Sequence, residues 1–341
     1  MNVENENKHI SNWLLLITFL VGLIIIIGGL TRLTDSGLSI TKWDLFIGIF
    51  PPFSLNDWER YFSLYKQIPE YYLINPDMTL NEFKVIYWWE YIHRLLGRLI
   101  GLLYLFPLIY FTYKKALKGK KILSLYMIFI LILLQGFVGW YMVKSGLSDR
   151  TDVSHYRLSL HLTLAFVIFI SLFWNYLLFK YPNNSQRDVK LPINLPTIFT
   201  LFLLLQISIG ALVSGLDAGM IYQTWPMMNE KFFPNDASIN DLFSIHLFNS
   251  ASLVQFLHRN VAYFIVLLFL FLMFIIFKNN QYIHLRKTML LVFFFLLIQF
   301  FLGILTILSG AHIIIASMHQ IGSIFLVTAS IILVFKNSRI N

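Results

Sequence analysis

Cysteine is absent from the 341 residues. That excludes disulfides, thiolate metal sites, iron–sulfur clusters, a covalent C-x-x-C-H haem attachment and a cysteine nucleophile. Charge is scarce too: Asp, Glu, Lys and Arg make up 13% of the chain, against about 25% in soluble domains. This removes the reading that length alone invites, two soluble domains of about 150 residues each. Apolar character fills the chain instead, with 57% hydrophobic residues and a mean hydropathy of +0.69. Apolar runs of about 20 residues recur throughout, the length a helix needs to cross a hydrocarbon core of about 30 Å. The composition predicts an all-α integral membrane protein.

Eight spans are expected, at 13–31, 90–112, 122–142, 156–178, 194–214, 251–277, 288–308 and 312–335. The first follows a short segment containing Glu4 and Glu6, unlike a cleaved signal or an Arg-rich transit peptide, so it is expected to be retained. Cytoplasmic loops collect Lys and Arg. With both termini inside, the inner segments hold 14 basic residues against three acidic ones (Glu4, Glu6, Asp188), while the rest of the chain holds 12 and 14. Lys114, Lys115, Lys118, Lys120 and Lys121 cluster in one inner loop, and Arg187, Lys190, Lys336 and Arg339 lie in others. Topology thus accounts for the net charge of +9, and a nucleic-acid partner is not needed.

The chain repeats itself. Gly28, Leu30, Asp35, Gly37 and Trp43 match Gly210, Leu212, Asp217, Gly219 and Trp225. E-Y-I-H-R at Glu90–Arg94 matches Q-F-L-H-R at Gln255–Arg259. Gln135, Gly139, Ser145 and Gly146 match Gln299, Gly303, Ser309 and Gly310. Each half holds four spans, an even number, so the halves share one orientation and form parallel repeats. The expected architecture is two pseudosymmetric four-helix bundles, 1–178 and 194–341, joined by an inner linker at 179–193.

Nine histidines are present. His9 and His284 fall in inner polar segments, His246 in an outer loop, and His155 and His312 at outer helix mouths. Four remain inside spans: His93, His161, His258 and His319, two per half. All lie on helices running from outside to inside, a turn or two after the helix start, so all occupy one layer in the outer half of the bilayer. A lone intramembrane histidine ordinarily bonds a neighbouring helix. Four in one layer point to function, because ionisable groups in a membrane are costly. Two imidazoles on facing helices of one bundle suit the axial positions of a six-coordinate haem iron.

The residue four after each histidine is small: Gly97, Ala165, Ala262 and Ser323. It shares the histidine's face and would give a macrocycle clearance, although helix packing favours small residues as well. Arg157 lies one turn before His161, and Arg94 and Arg259 directly follow His93 and His258. These arginines could pair with carboxylates such as haem propionates, or could snorkel to the interface. Glu90 shares a helical face with His93, whereas its counterpart is Gln255. The first half also has the longer outer loop, 32–89 against 215–250. Chemistry is therefore expected in the first half and electron transfer in the second, the alternative being that Glu90 sits at the interface beside Trp88 and Trp89.

The segments G-G-L-T-R-L-T-D-S-G-L-S, E-Y-I-H-R-L-L-G-R, Q-G-F-V-G-W-Y-M-V-K-S-G-L, Y-R-L-S-L-H-L, S-G-L-D-A-G and F-L-H-R resemble the haem A synthase family, in its type without an outer-loop cysteine pair. The resemblance runs from residue 13 to 335. It implies two pseudosymmetric four-helix bundles in a bacterial inner membrane and oxidation of a ring methyl of haem O to a formyl group, yielding haem A for terminal oxidases. It implies that His258 and His319 ligate a haem b, that His93 and His161 flank the substrate haem, and that Glu90 is the acidic residue of an E-x-x-H-R motif. His155, in S-H-Y-R, departs from the proline the family leads one to expect and places an extra imidazole close to the site. Membrane lipid, a haem O synthase, an oxidase assembly factor and a second copy of the chain are the partners it leaves open. Two other readings compete: a di-haem quinol or electron-transfer cytochrome, which explains the histidines but not the one-sided Glu90, and a transporter, which would more often have broken helices at the midplane.

Overall fold

The computed structural model describes residues 3–42, 47–148, 150–182 and 189–338. Trp43, Arg187, Asp188 and Arg339 lie outside them. Every regular element among the described residues is helical, and one isolated bridge joins Met228 to Lys231. The helices are α1 (Val3–Leu33), α2 (Leu55–Tyr65), α3 (Pro69–Ile74), α4 (Leu80–Tyr113), α5 (Lys120–Lys144), α6 (His155–Lys180), α7 (Leu195–Gly215), α8 (Ala251–Lys278), α9 (Ile283–Leu308) and α10 (Ile313–Ser338). All except α2 and α3 are long and apolar enough to cross a membrane, eight in total. The protein is a multi-pass, all-helical membrane protein. Large apolar side chains such as Phe19, Phe106, Leu133, Phe274 and Phe301 are exposed along these helices, as expected where the surrounding solvent is lipid.

By packing, the chain forms two compact units, one of Leu16–Ile168 and one of Met1–Leu15 with Phe169–Asn341. In the first unit, α4 starts at Leu80, ten residues before the expected 90. Thr79 and Glu82 form a capping box there, which satisfies the free amides of the first turn. The added turns carry Phe83 and Tyr87 into a buried aromatic cluster with Trp58, Phe62 and Tyr65 of α2. Trp58 meets Tyr87 edge-on at 5.0 Å, and Phe62 stacks on Phe83 at 5.0 Å. Within the segment expected as a long loop at 32–89, α2 and the first turns of α4 thus pack together as a small folded cap. Its α2 is started by a second capping box, Ser54 with Asp57.

In the second unit, Phe199 and Leu203 of α7, Phe269 and Leu272 of α8, Met289 and Val292 of α9, and Leu326 and Leu333 of α10 share one buried core. Asn337 fastens the α10 end of this core by accepting the Leu191 amide at 2.8 Å. The repeated aspartates have a common local cause. Asp35 and Asp217 both follow the last turn of a helix with positive φ, 47° and 49°, a conformation that Asp tolerates better than most side chains.

Candidate functional site

Each of the four histidines within spans faces a glycine on the preceding long helix. A Cβ on Gly28 of α1 would lie 2.8 Å from His93 Cε1 of α4, and one on Gly139 of α5 would lie 2.9 Å from His161 Cε1 of α6. In the second unit the corresponding distances are 3.1 Å from Gly210 of α7 to His258 of α8 and 3.0 Å from Gly303 of α9 to His319 of α10. A Cβ on Gly28 or Gly139 would force a shift, and one on Gly210 or Gly303 would need the imidazole to give by a few tenths of an ångström. The residues are matched in pairs along the sequence repeat, but their apposition to the histidines is visible only in three dimensions.

One turn from three of these glycines stands a glutamine. Gln135 Nε2 lies 3.3 Å from His161 Nε2 and donates to the His161 carbonyl at 3.0 Å. Gln206 Nε2 lies 3.2 Å from His258 Nε2 and donates to the His258 carbonyl at 3.0 Å. Gln299 Nε2 lies 3.5 Å from His319 Nε2. At the matching position α1 carries Ile24, whose Cδ1 would sit 3.6 Å from a Cβ on Gly97.

Glu90 is buried in the first unit. Its Oε2 accepts from the Ser39 hydroxyl at 2.7 Å and the Ile40 amide at 2.7 Å, and its Oε1 pairs with Arg94 Nη2 at 2.5 Å. Arg94 also donates to the Ile40 carbonyl at 2.9 Å. The second unit repeats the clamp with different polarity. Gln255 donates to the Tyr222 carbonyl at 3.1 Å, and the buried Arg259 donates to the same carbonyl at 2.8 Å and to the Thr224 carbonyl at 2.8 Å. Ile40 and Tyr222 are equivalent in the repeat, as are Ser39 and Ile221. A carboxylate held by a hydroxyl, an amide N–H and a guanidinium is therefore confined to the first half. An amide near a carbonyl replaces it in the second.

Arg157 donates to the Tyr141 carbonyl at 2.7 Å and lies over the Tyr141 ring at 3.7 Å. His155, the first residue of α6, is buried with its ring 4.2 Å from that of Tyr156. Glu70, at the first turn of α3, has no counterpart in the sequence reading. It is 4% exposed. Burial first, and then the nearby charges of Asp152, Glu90 and Asp35, push its carboxyl up to about 8. Burial likewise raises the phenol of Tyr65, its hydrogen-bond partner. A single glutamate between two spans carries no periodic signal, so nothing in the sequence marked it. Ser39 could have been found from the repeat, where it aligns with Ile221. Gln206 could have been found as the third member of a Q-x-x-x-G pattern already visible at Gln135 and Gln299.

The residues fit haem. The rings of His93 and His161 are centred 6.4 Å apart at an interplanar angle of 63°. In all four histidines Nδ1 is enclosed and has no hydrogen-bond partner among the described residues. In the second unit His258 and His319 share this feature and the glycine cradle, so they fit an axially ligated haem as well.

The chain matches the family described as "Cytochrome oxidase assembly protein" over residues 11–331. It is 48% identical to the heme A synthase of Pelagibacter ubique (strain HTCC1062), with 99% of each chain covered. It is 43% identical to the heme A synthase of Rickettsia bellii (strain OSU 85-389), covering 95% of this chain and 97% of that one. With the heme A synthase of Sinorhizobium medicae (strain WSM419) the identity is 40%, over 94% and 88%.

Proposed function

The chain belongs to this family of cytochrome oxidase assembly proteins, and from that premise we propose how it makes haem A for terminal oxidases and how the work divides between its halves. Synthesis of haem A is its function, and it is an oxidoreductase that binds a haem substrate. In our reading that substrate is haem O, held in the first half between His93 and His161. One ring methyl would reach the aldehyde level by two hydroxylations and loss of water, each hydroxylation drawing its oxygen atom and a two-electron oxidant from outside the chain. His258 and His319 hold a haem b in the second half, and that group supplies electron transfer. The residues of the chain bind and orient the substrate and hold charge at its reactive edge.

The half-specific carboxylate carries this assignment. Glu90 lies one turn from His93 on a shared face, and Ser39, the Ile40 amide and Arg94 hold it in place. A fixed carboxylate there can accept a proton or stabilise a developing positive charge. Gln255, bound to a carbonyl in the other half, can do neither. Arg94 and Arg157 border the substrate position and Arg259 borders the haem b position. We assign the chain to a bacterial inner membrane with both termini cytoplasmic, since that orientation places the basic loops inside. The farnesyl-type tail of the substrate favours transfer within the membrane, from a haem O synthase or to an oxidase assembly factor.

Glu90→Gln tests the assignment. Loss of a general base costs about 100- to 10,000-fold. The variant should retain haem b and accumulate haem O or a hydroxylated intermediate in place of haem A when extracted haems are separated chromatographically. Wild-type amounts of haem A would reduce Glu90 to an anchor for the cap. Haem b alone in the wild-type protein, with no haem O or A, would instead favour an electron-transfer cytochrome.

A further inference from the structure

We propose that a cleft beside α4 seats the headgroup of an anionic phospholipid, with Lys42, Arg94 and Arg98 as its cationic walls. The site adds a lipid to the ligands of the chain and stands whether or not the first half holds haem O.

The three cations line the cleft together with Tyr61, Tyr87 and Tyr91. No aspartate or glutamate is among the described residues that line it. Glu90 pairs with Arg94, which balances one of the three positive charges and leaves two. The walls are held from several sides. Arg94 donates to the Ile40 carbonyl at 2.9 Å, and the Tyr91 hydroxyl donates to the Ile49 carbonyl at 2.5 Å. The rings of Tyr61 and Tyr91 flank that of Tyr87, with centres 5.5 and 6.1 Å from it. A group with net negative charge and several acceptor oxygens complements such a wall, because charge-assisted hydrogen bonds are the strong ones.

The surroundings point to a lipid as the bearer of that group. Arg98 lies two turns beyond Glu90 on a membrane-crossing helix, about 12 Å along its axis. A charge at that depth is costly without a partner. Leu95 and Leu102, three before and four after Arg98, share its side of α4, and both are exposed, as is Leu99. The cleft therefore adjoins an apolar strip. A headgroup among the cations lays an acyl chain along these leucines.

The sequence repeat separates this cleft from general attraction to a charged bilayer, which would serve both halves alike. Arg94 has a counterpart in Arg259, which donates to the Tyr222 and Thr224 carbonyls. Lys42 and Arg98 are replaced by Thr224 and Tyr263, and Tyr91 by Phe256. Both surplus cations are thus confined to one half. An arginine that merely snorkels needs neither a lysine from another segment nor a row of phenols. Ile40 belongs to this cleft and also holds Glu90 through its amide, so the lipid sits against the segment that fixes the carboxylate.

Native mass spectrometry of the purified protein, titrated with phosphatidylglycerol or with phosphatidylcholine of the same acyl chains, tests the site. Each basic side chain near a membrane surface strengthens attraction to anionic lipid by about fivefold. One phosphatidylglycerol should therefore bind about tenfold or more tightly than phosphatidylcholine. Lys42→Gln with Arg98→Gln should bring the two lipids to within about twofold of each other, while Arg98→Lys should keep the preference. Lys42→Gln alone, at an exposed loop position, should lower the preference about fivefold and decides the matter if the double variant does not assemble. Equal binding of the two lipids by the wild-type protein overturns the proposal. So does a preference that survives in the folded variants, which would place the anionic lipid on the basic loops elsewhere. Loss of copurified haem O from the double variant, with its lipid preference unchanged, would show that the cleft takes a haem carboxylate instead.

Discussion

Glu70 and Glu90 are both buried carboxylates of the first unit, yet their surroundings treat them differently. Glu90 has Arg94 and two hydrogen-bond donors. Glu70 has Tyr65 as a hydrogen-bond partner and faces the like charges of Asp152, Glu90 and Asp35, with its carboxyl pushed up to about 8. An unfolded glutamate titrates near 4.3. Between these values the folded cap keeps a proton that the unfolded segment has released, so stability falls as pH rises through the window. The contribution is complete below about 4.3 and gone above about 8. Hydrogen exchange of the α2–α3 amides, corrected for intrinsic rates, should show more frequent opening at pH 9 than at pH 6. Glu70→Gln should remove most of that difference. A wild-type profile flat between pH 6 and 9 would show that Glu70 does not hold a proton in the native cap.

At the scale of helices, the eight spans were legible because each is a run of apolar residues long enough to cross a bilayer. The start of α4 was not. The signal there is the four-residue box at Thr79–Glu82, too local to register in a hydropathy average. Helix α2 was missed for a related reason: Trp58, Phe62 and Tyr65 have helical spacing, but the stretch is short and lies among polar residues. The histidine layer was legible in the sequence. The apposition of a glycine to each histidine, and of a glutamine to three of them, was not, because sequence spacing does not say which helices touch. The close helix approach makes a contrast between two glycines testable. Gly139→Ala would set a methyl 2.9 Å from His161 Cε1, while a Cβ on Gly101 meets nothing within 4 Å. The first should lower stability by about 1–3 kcal/mol, as overpacking does, and disturb the low-spin absorbance of the first-half haem. Gly101→Ala should be neutral or stabilising by up to about 1 kcal/mol. Thermal unfolding in detergent, followed by absorbance, checks both; equal effects would argue against the glycine cradle.

For the molecule as a whole, the sequence repeat is matched by repeated interactions. Arg94 donates to Ile40 as Arg259 donates to Tyr222, and left-handed Asp35 is echoed by Asp217. The halves differ at a few positions near the histidines: Glu90 against Gln255, Ser39 against Ile221, and Ile24 against Gln206. Those differences are the basis for giving one half the substrate and the other a resident haem. The most direct measurement is the haem content of two double variants, each purified and extracted for chromatography. His93→Ala with His161→Ala should retain haem b and lose haem O and haem A. His258→Ala with His319→Ala should lose haem b while haem O still binds. Loss of the same haems from both variants, or loss of haem b from the first and haem O from the second, would contradict the assignment.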